Sequence, residues 1–119
     1  MTSQKKTILI DLDGVLNTYN GNFNDKYIPP IKDRALEFIK DLSNEFKVVI
    51  FTSRNLLITS KLVIENKLDK YIENITNIKE PCYLIIDDRC ITFDGDFNKL
   101  KNKIKDFSVW YNNQKIEKI

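Results

Sequence analysis

Thr7-Ile8-Leu9-Ile10-Asp11-Leu12-Asp13-Gly14-Val15-Leu16 is an apolar run that ends abruptly in two carboxylates and a glycine. Aliphatic and β-branched residues without polar alternation describe a strand covered on both faces, as in the middle of a parallel sheet. Gly14 marks the turn after it. In open α/β sheets ligands bind beyond the carboxyl ends of the strands, which is where this order places Asp11 and Asp13. Two acids this close repel each other unless something positive neutralises them, most simply a divalent cation. Asp and Gly are also ordinary turn residues, so taken alone the stretch is compatible with a plain turn.

The pattern recurs. Val48-Val49-Ile50-Phe51 runs into Thr52-Ser53-Arg54, and Tyr83-Leu84-Ile85-Ile86 runs into Asp87-Asp88-Arg89. Three apolar strands thus end in reactive polar groups. Around them the periodicity predicts a strand over 7–12, then an Asn-rich, turn-forming segment over 17–30 closed by Pro29 and Pro30. A helix over 30–43 follows, with Ile31, Ala35, Phe38, Ile39 and Leu42 inward and Pro30 in its first turn. A strand over 46–51 leads to a helix capped by Asn55 and ending near 66, with Leu57, Ile58, Leu62 and the stem of Lys61 inward. Short strands are expected at 72–76 and 82–86, with a brief fifth at 91–93. Asp96 caps a last helix on which Leu100, Ile104 and Phe107 share a face. The polar tail over 110–119 has no place in this scheme.

The 119 residues suit one domain with a modest core, occupying about 7–107. With 42% hydrophobic and 30% charged residues the composition is ordinary globular, and no run reaches the length of a transmembrane helix. The net charge of +2 does not argue for nucleic acid. Lys99, Lys101, Lys103 and Lys105 are explained by a solvated helix face. Cys82 and Cys90 lack metal-ligand spacing and are read as reduced thiols, and the N-terminus lacks a signal-peptide core. A cytoplasmic location is the expectation.

These motifs, in this order, resemble those of the haloacid-dehalogenase-like (HAD) phosphohydrolase superfamily over roughly residues 7–107. The first is Asp11-Leu12-Asp13-Gly14-Val15-Leu16, the second Thr52, the third a lysine best matched by Lys79, and the fourth Asp87-Asp88. The resemblance implies a three-layer α/β/α Rossmann-like parallel sheet and a Mg²⁺-dependent phosphatase. Asp11 would be the nucleophile, forming an aspartyl-phosphate, and Asp13 the general acid and base. Asp11, the main-chain carbonyl of Asp13, and Asp87 would hold Mg²⁺, with Asp88 acting through a water or else capping or pairing with Arg89. Thr52 and the N–H groups of Leu12 and Ser53 would bind phosphoryl oxygens. Lys79, preceding a proline by two positions, would supply positive charge, although Lys67 and Lys70 are alternatives. Arg54 and Arg89 would reach a second charged group on the substrate or form solvent-facing ion pairs.

Family members often carry a cap domain between these motifs, but neither gap here is long enough to hold one. The segment over 17–30 sits where the family has a helical turn and a β-hairpin flap, with Tyr19, Phe23 and Tyr27 at the entrance or in the core. An open site suits a phosphorylated small molecule or polymer end, and a homo-oligomer could supply a lid. Two other readings compete. A response-regulator receiver orders its acids, Thr/Ser and Lys differently. A catalytically idle phosphate- or metal-binding module on the same fold keeps the acids without turnover.

Overall fold

Four short strands form the sheet in a computed structural model that describes residues 4–111. β1 (Lys6–Ile10), β2 (Phe46–Phe51), β3 (Asn74–Thr76) and β4 (Leu84–Ile86) are all parallel, in the order β3-β2-β1-β4. The helices are α1 (Ala35–Ser43), α2 (Leu56–Glu65) and α3 (Phe97–Asp106). The fold is a three-layer α/β/α Rossmann-like sheet, with no cap domain among the described residues.

Register explains the unbroken apolar runs. Ile10 lies opposite Ile50, and Leu9 opposite Val49; successive residues face opposite sides of the sheet. Ile10, Val48 and Ile50 share a core cluster with Ala35 and Ile39 of α1 and Val63 of α2, so both helices pack on one face. Two successive right-handed crossovers running in the same direction give that arrangement. Leu9 and Val49 on the other face are also buried, so β1 and β2 are covered on both sides. After β3 the chain crosses back to place β4 on the far side of β1. Strand order therefore reverses at β1, and the crevice beyond β1 and β4 is the ligand position that such a reversal creates.

Several boundaries differ from the sequence expectation, each for a local reason. β1 stops at Ile10, because Leu12–Leu16 forms a non-helical turn, with Asp13 extended and Gly14 left-handed, closed by the Asn17 N–H donating to the Leu12 carbonyl at 3.2 Å. The helix expected from Pro30 starts at Ala35. Ile31 instead bridges antiparallel to Asn17, the Thr18 N–H donates to the Pro30 carbonyl and the Lys32 N–H to the Leu16 carbonyl, both at 2.9 Å. Arg34 then takes a left-handed φ of 78° before the helix begins. The segment over 17–30 is thus a flap tied at its base by one bridge rather than a regular hairpin. Phe38 is exposed, while Ala35 and Ile39 face the sheet.

In α2 the expected face is partly turned, with Leu62 packed against the core as expected but Ile58 exposed. Asn55 caps the helix, accepting from the Leu57 and Ile58 N–H groups, but Thr59 and Val63 are the buried residues and Leu57 is 82% exposed. Thr59 tolerates burial because its hydroxyl donates to the Asn55 carbonyl at 2.8 Å. A helix with apolar residues all round gives periodicity little to choose between. No strand forms at 91–93, and α3, capped by Asp96 as expected, has no buried residue, with Ile104 60% exposed. Of the unplaced tail, Trp110 and Tyr111 are described, and 112–119 lie outside the described residues.

Core position should therefore separate two aliphatic truncations. Ile50→Ala is expected to cost about 2–5 kcal/mol, whereas Leu57→Ala should stay within about 0.5 kcal/mol. Urea denaturation of the two variants checks this; equal losses would mean that α2 docks by its other face.

Candidate functional site

β1 has β2 on one side and β4 on the other, so the residues just past the three strands meet. The Asp11 N–H continues the ladder to the Ile86 carbonyl at 2.8 Å, and the Thr52 N–H donates to the Thr76 carbonyl at 3.0 Å. Carboxylate oxygens of Asp11, Asp87 and Asp88 all lie within 4.8 Å of one another. Gly14 makes this approach possible. Its φ is 85°, a left-handed value, and a Cβ there would overlap the Asp88 carboxylate.

Gathering acids in a crevice has an electrostatic cost. Burial, then the charge of Asp87, then close side-chain contact with Asp88 and its charge push the Asp11 carboxyl up to about 8, against a small opposing effect from the Leu12 N–H. Burial also raises Asp87, partly offset by the Arg89 N–H, which donates to its Oδ1 at 2.8 Å. The Asp88 Oδ2 is buried without a hydrogen-bond partner among the described residues. Three mutually repelling carboxylates with an unsatisfied oxygen are what a hard cation would relieve.

Asp13 stands apart from this cluster, held at both oxygens. Its Oδ1 accepts from Asn17 Nδ2 at 3.0 Å and its Oδ2 from Arg54 Nε at 2.7 Å. Asn17 is fully buried, and its Oδ1 accepts from the Gly14 and Tyr19 N–H groups, so one amide shapes the turn and aims the acid. Of the two roles expected of Arg54, a substrate contact or a solvent-facing ion pair, an ion pair forms, but it is not solvent-facing. Arg54 is buried beside Asp13, donates through Nη1 to the Asn24 carbonyl at 2.9 Å, and stacks on the Phe23 ring at 4.5 Å. It thus joins the acid to the flap, and once Asp13 supplied a partner for the guanidinium, burial became tolerable.

Above the acids lies a cavity of about 350 Å³. Thr52 and Ser53, Tyr19 and Phe23 of the flap, and Arg89 are among its lining residues. Thr52 is buried, with Oγ1 accepting from the Arg54 N–H at 3.2 Å. Asn77 also lines the cavity, and its Nδ2 donates to the carbonyls of Thr52 and Arg54, fixing the loop after β2. Lys79 does not join this group. It is exposed, lies outside the cavity lining, and has no hydrogen bond or ion pair among the described residues. The turn after β3 delivers Asn77 to the cavity lining, and Lys79, two residues on, lies outside that lining. Tyr27 is exposed and is not part of the lining either.

The C-terminal segment, silent in the sequence, returns to the site. Trp110 Nε1 donates to the Gly14 carbonyl at 2.7 Å, and Tyr111 meets Tyr19 edge-on with ring centres 6.0 Å apart. Lys32 sits over the Trp110 ring at 4.1 Å. Two aromatic residues late in a polar tail were the available signal, but nothing local ties them to the first motif.

The chain is similar to a solved structure from Bacteroides thetaiotaomicron, described as a conserved protein coded by locus. The two share 17% identity at a TM-score of 0.57, over 95% of this chain and 100% of the other. At that identity the likeness shows the fold alone. No family model and no curated protein matches the chain.

Proposed function

We propose that the chain is a Mg²⁺-dependent phosphomonoesterase of the haloacid-dehalogenase-like kind, with Asp11 as nucleophile and Asp13 as general acid and base. The observation that carries this reading is the meeting of Asp11, Asp87 and Asp88 within 4.8 Å at the point where strand order reverses. The donors fit a hard divalent cation: all are carboxylate oxygens, and the orphaned Asp88 Oδ2 and the raised Asp11 both call for positive charge. Bound Mg²⁺ would neutralise the acids and polarise the phosphoryl oxygens.

The protein's own residues account for the remaining steps. An Asp11 oxygen forms a bond to phosphorus as the ester P–O bond breaks, and Asp13 gives the departing alkoxide a proton. Asp13 then takes a proton from the water that cleaves the acyl phosphate and restores Asp11. Asn17 and Arg54 fix Asp13 for both transfers. The Thr52 hydroxyl and the Ser53 N–H stand at the phosphoryl side as donors. Two free cysteines, and the absence among the described residues of a helix long and apolar enough to cross a membrane, suit a cytoplasmic enzyme. The position of Lys79 favours a second reading, a module that binds metal and phosphate without turnover.

Turnover of p-nitrophenyl phosphate separates the two. Activity should require Mg²⁺, vanish in chelator and return on re-addition. Asp11→Asn should abolish it, and Asp13→Asn should lower it by roughly 10²–10⁴-fold, with circular dichroism unchanged. Binding of phosphate without turnover would select the idle module.

Proton linkage gives an independent test. The Asp11 carboxyl is raised from 3.8 to about 8, so the folded protein holds a proton that the unfolded chain releases. Its contribution to stability is therefore fully present below about pH 4 and lost as pH rises towards 8, with Asp87 acting in the same direction. In chelator, Tm should decline across that range more steeply for the wild type than for Asp11→Asn, and Mg²⁺ should flatten the wild-type decline. Parallel profiles in all three cases would refute the acid cluster.

A further inference from the structure

Arg89 is a cavity-lining side chain to which the proposed chemistry assigns no task. It belongs to the lining, yet forms no ion pair among the described residues, where the ion pair found is Arg54 with Asp13. Its side chain has one hydrogen bond there, from Nη2 to the Tyr111 hydroxyl at 3.3 Å. Tyr111 in turn meets Tyr19, itself part of the lining. The guanidinium is thus hydrogen-bonded to a neutral partner and feels the nearby Asp88 charge, without being paired to a carboxylate among the described residues.

Strand order places Arg89 relative to the other residues of the site. Thr52 and Ser53 follow β2, Asp11 follows β1 and Arg89 follows β4, and β1 lies between the other two. Neighbouring strands are about 4.8 Å apart, so the backbone positions of Ser53 and Arg89 are separated by roughly 10 Å. In-line attack by Asp11 sends the ester oxygen away from the Asp11 carboxylate and out into the cavity, while the Thr52–Ser53 donors take flanking phosphoryl oxygens. Arg89 belongs to the lining of the cavity that the leaving group enters. The 350 Å³ cavity has room for a small leaving group, and Tyr19, Phe23 and Phe51 give it an apolar wall.

We propose that Arg89, steadied by Tyr111, receives a second oxyanion carried by the leaving group, so that the substrate is a small phosphomonoester bearing an additional carboxylate or phosphate. This rests on the phosphatase reading. A guanidinium suits either oxyanion because its paired N–H donors match two oxygens at once.

Three aryl phosphates test it: phenyl phosphate and its analogues carrying carboxylate or phosphate at the meta position. With Mg²⁺, the wild type should favour at least one anionic ester by tenfold or more in kcat/KM, mainly through KM. In Arg89→Gln that ratio should fall to about twofold or less, and Arg89→Lys should keep part of it. The arm that shows the preference identifies the oxyanion. Turnover of phenyl phosphate with no preference for either analogue overturns this inference and leaves the phosphatase reading intact. An equal loss on all three esters in Arg89→Gln also overturns it, since the charge would then serve the transferred phosphoryl group. Turnover of none of the three defeats both readings.

Discussion

Repulsion among carboxylates is the constraint on which the site depends. Asp11, Asp87 and Asp88 are gathered within 4.8 Å, and separation into water would relieve them at once. They stay together because each is fixed by backbone whose position is set elsewhere. Asp11 continues the β1–β4 ladder, and Asp87 follows a strand registered to β1 through Ile10 and Ile86. Asp88 fits only because Gly14 offers no side chain. The buried rows of β1 and β2 hold these backbones in place, so core packing is what keeps the charges close. A destabilised arrangement maintained by a packed scaffold is a common feature of sites that bind cations.

What could be read from sequence follows from how local the information is. β2 was delimited correctly because its apolar run is bounded by Glu45 and by the polar Thr52-Ser53-Arg54, and Asn55 and Asp96 marked helix starts through side chains that cap their own next turn. The acids were legible because each lies directly after its strand. α1 was misjudged because Pro30 satisfies a first-turn preference but is used instead by the flap, a decision made by the pairing of Asn17 with Ile31. The inner face of α2 depended on contacts with the sheet that an evenly apolar helix does not declare.

The same division holds within the site. Arg54 was visible as a cation after a strand, but its partner Asp13 is 41 residues away, and that partner decides that it is buried rather than facing a ligand. Lys79 was placed by its distance from β4 and the following proline, whereas its direction depends on the turn after β3. Asn17, Asn77 and Tyr111 had no signal beyond their residue types, because each acts on backbone or side chains from another part of the chain.

The partial wall over the acids follows from these long-range contacts. The short segment over 17–30 could not cover a cavity alone, since it has one bridge at its base and little regular structure. Arg54 ties its Asn24 carbonyl and Phe23 ring to Asp13, and Tyr111 meets Tyr19 from the other side. Trp110 anchors that second support on the Gly14 carbonyl, within the turn that bears Asp13. Both supports of the flap therefore end on the same five-residue turn. Flap position and the aim of Asp13 are consequently one structural variable, because a movement that frees Asn24 also removes a restraint on the guanidinium holding Asp13.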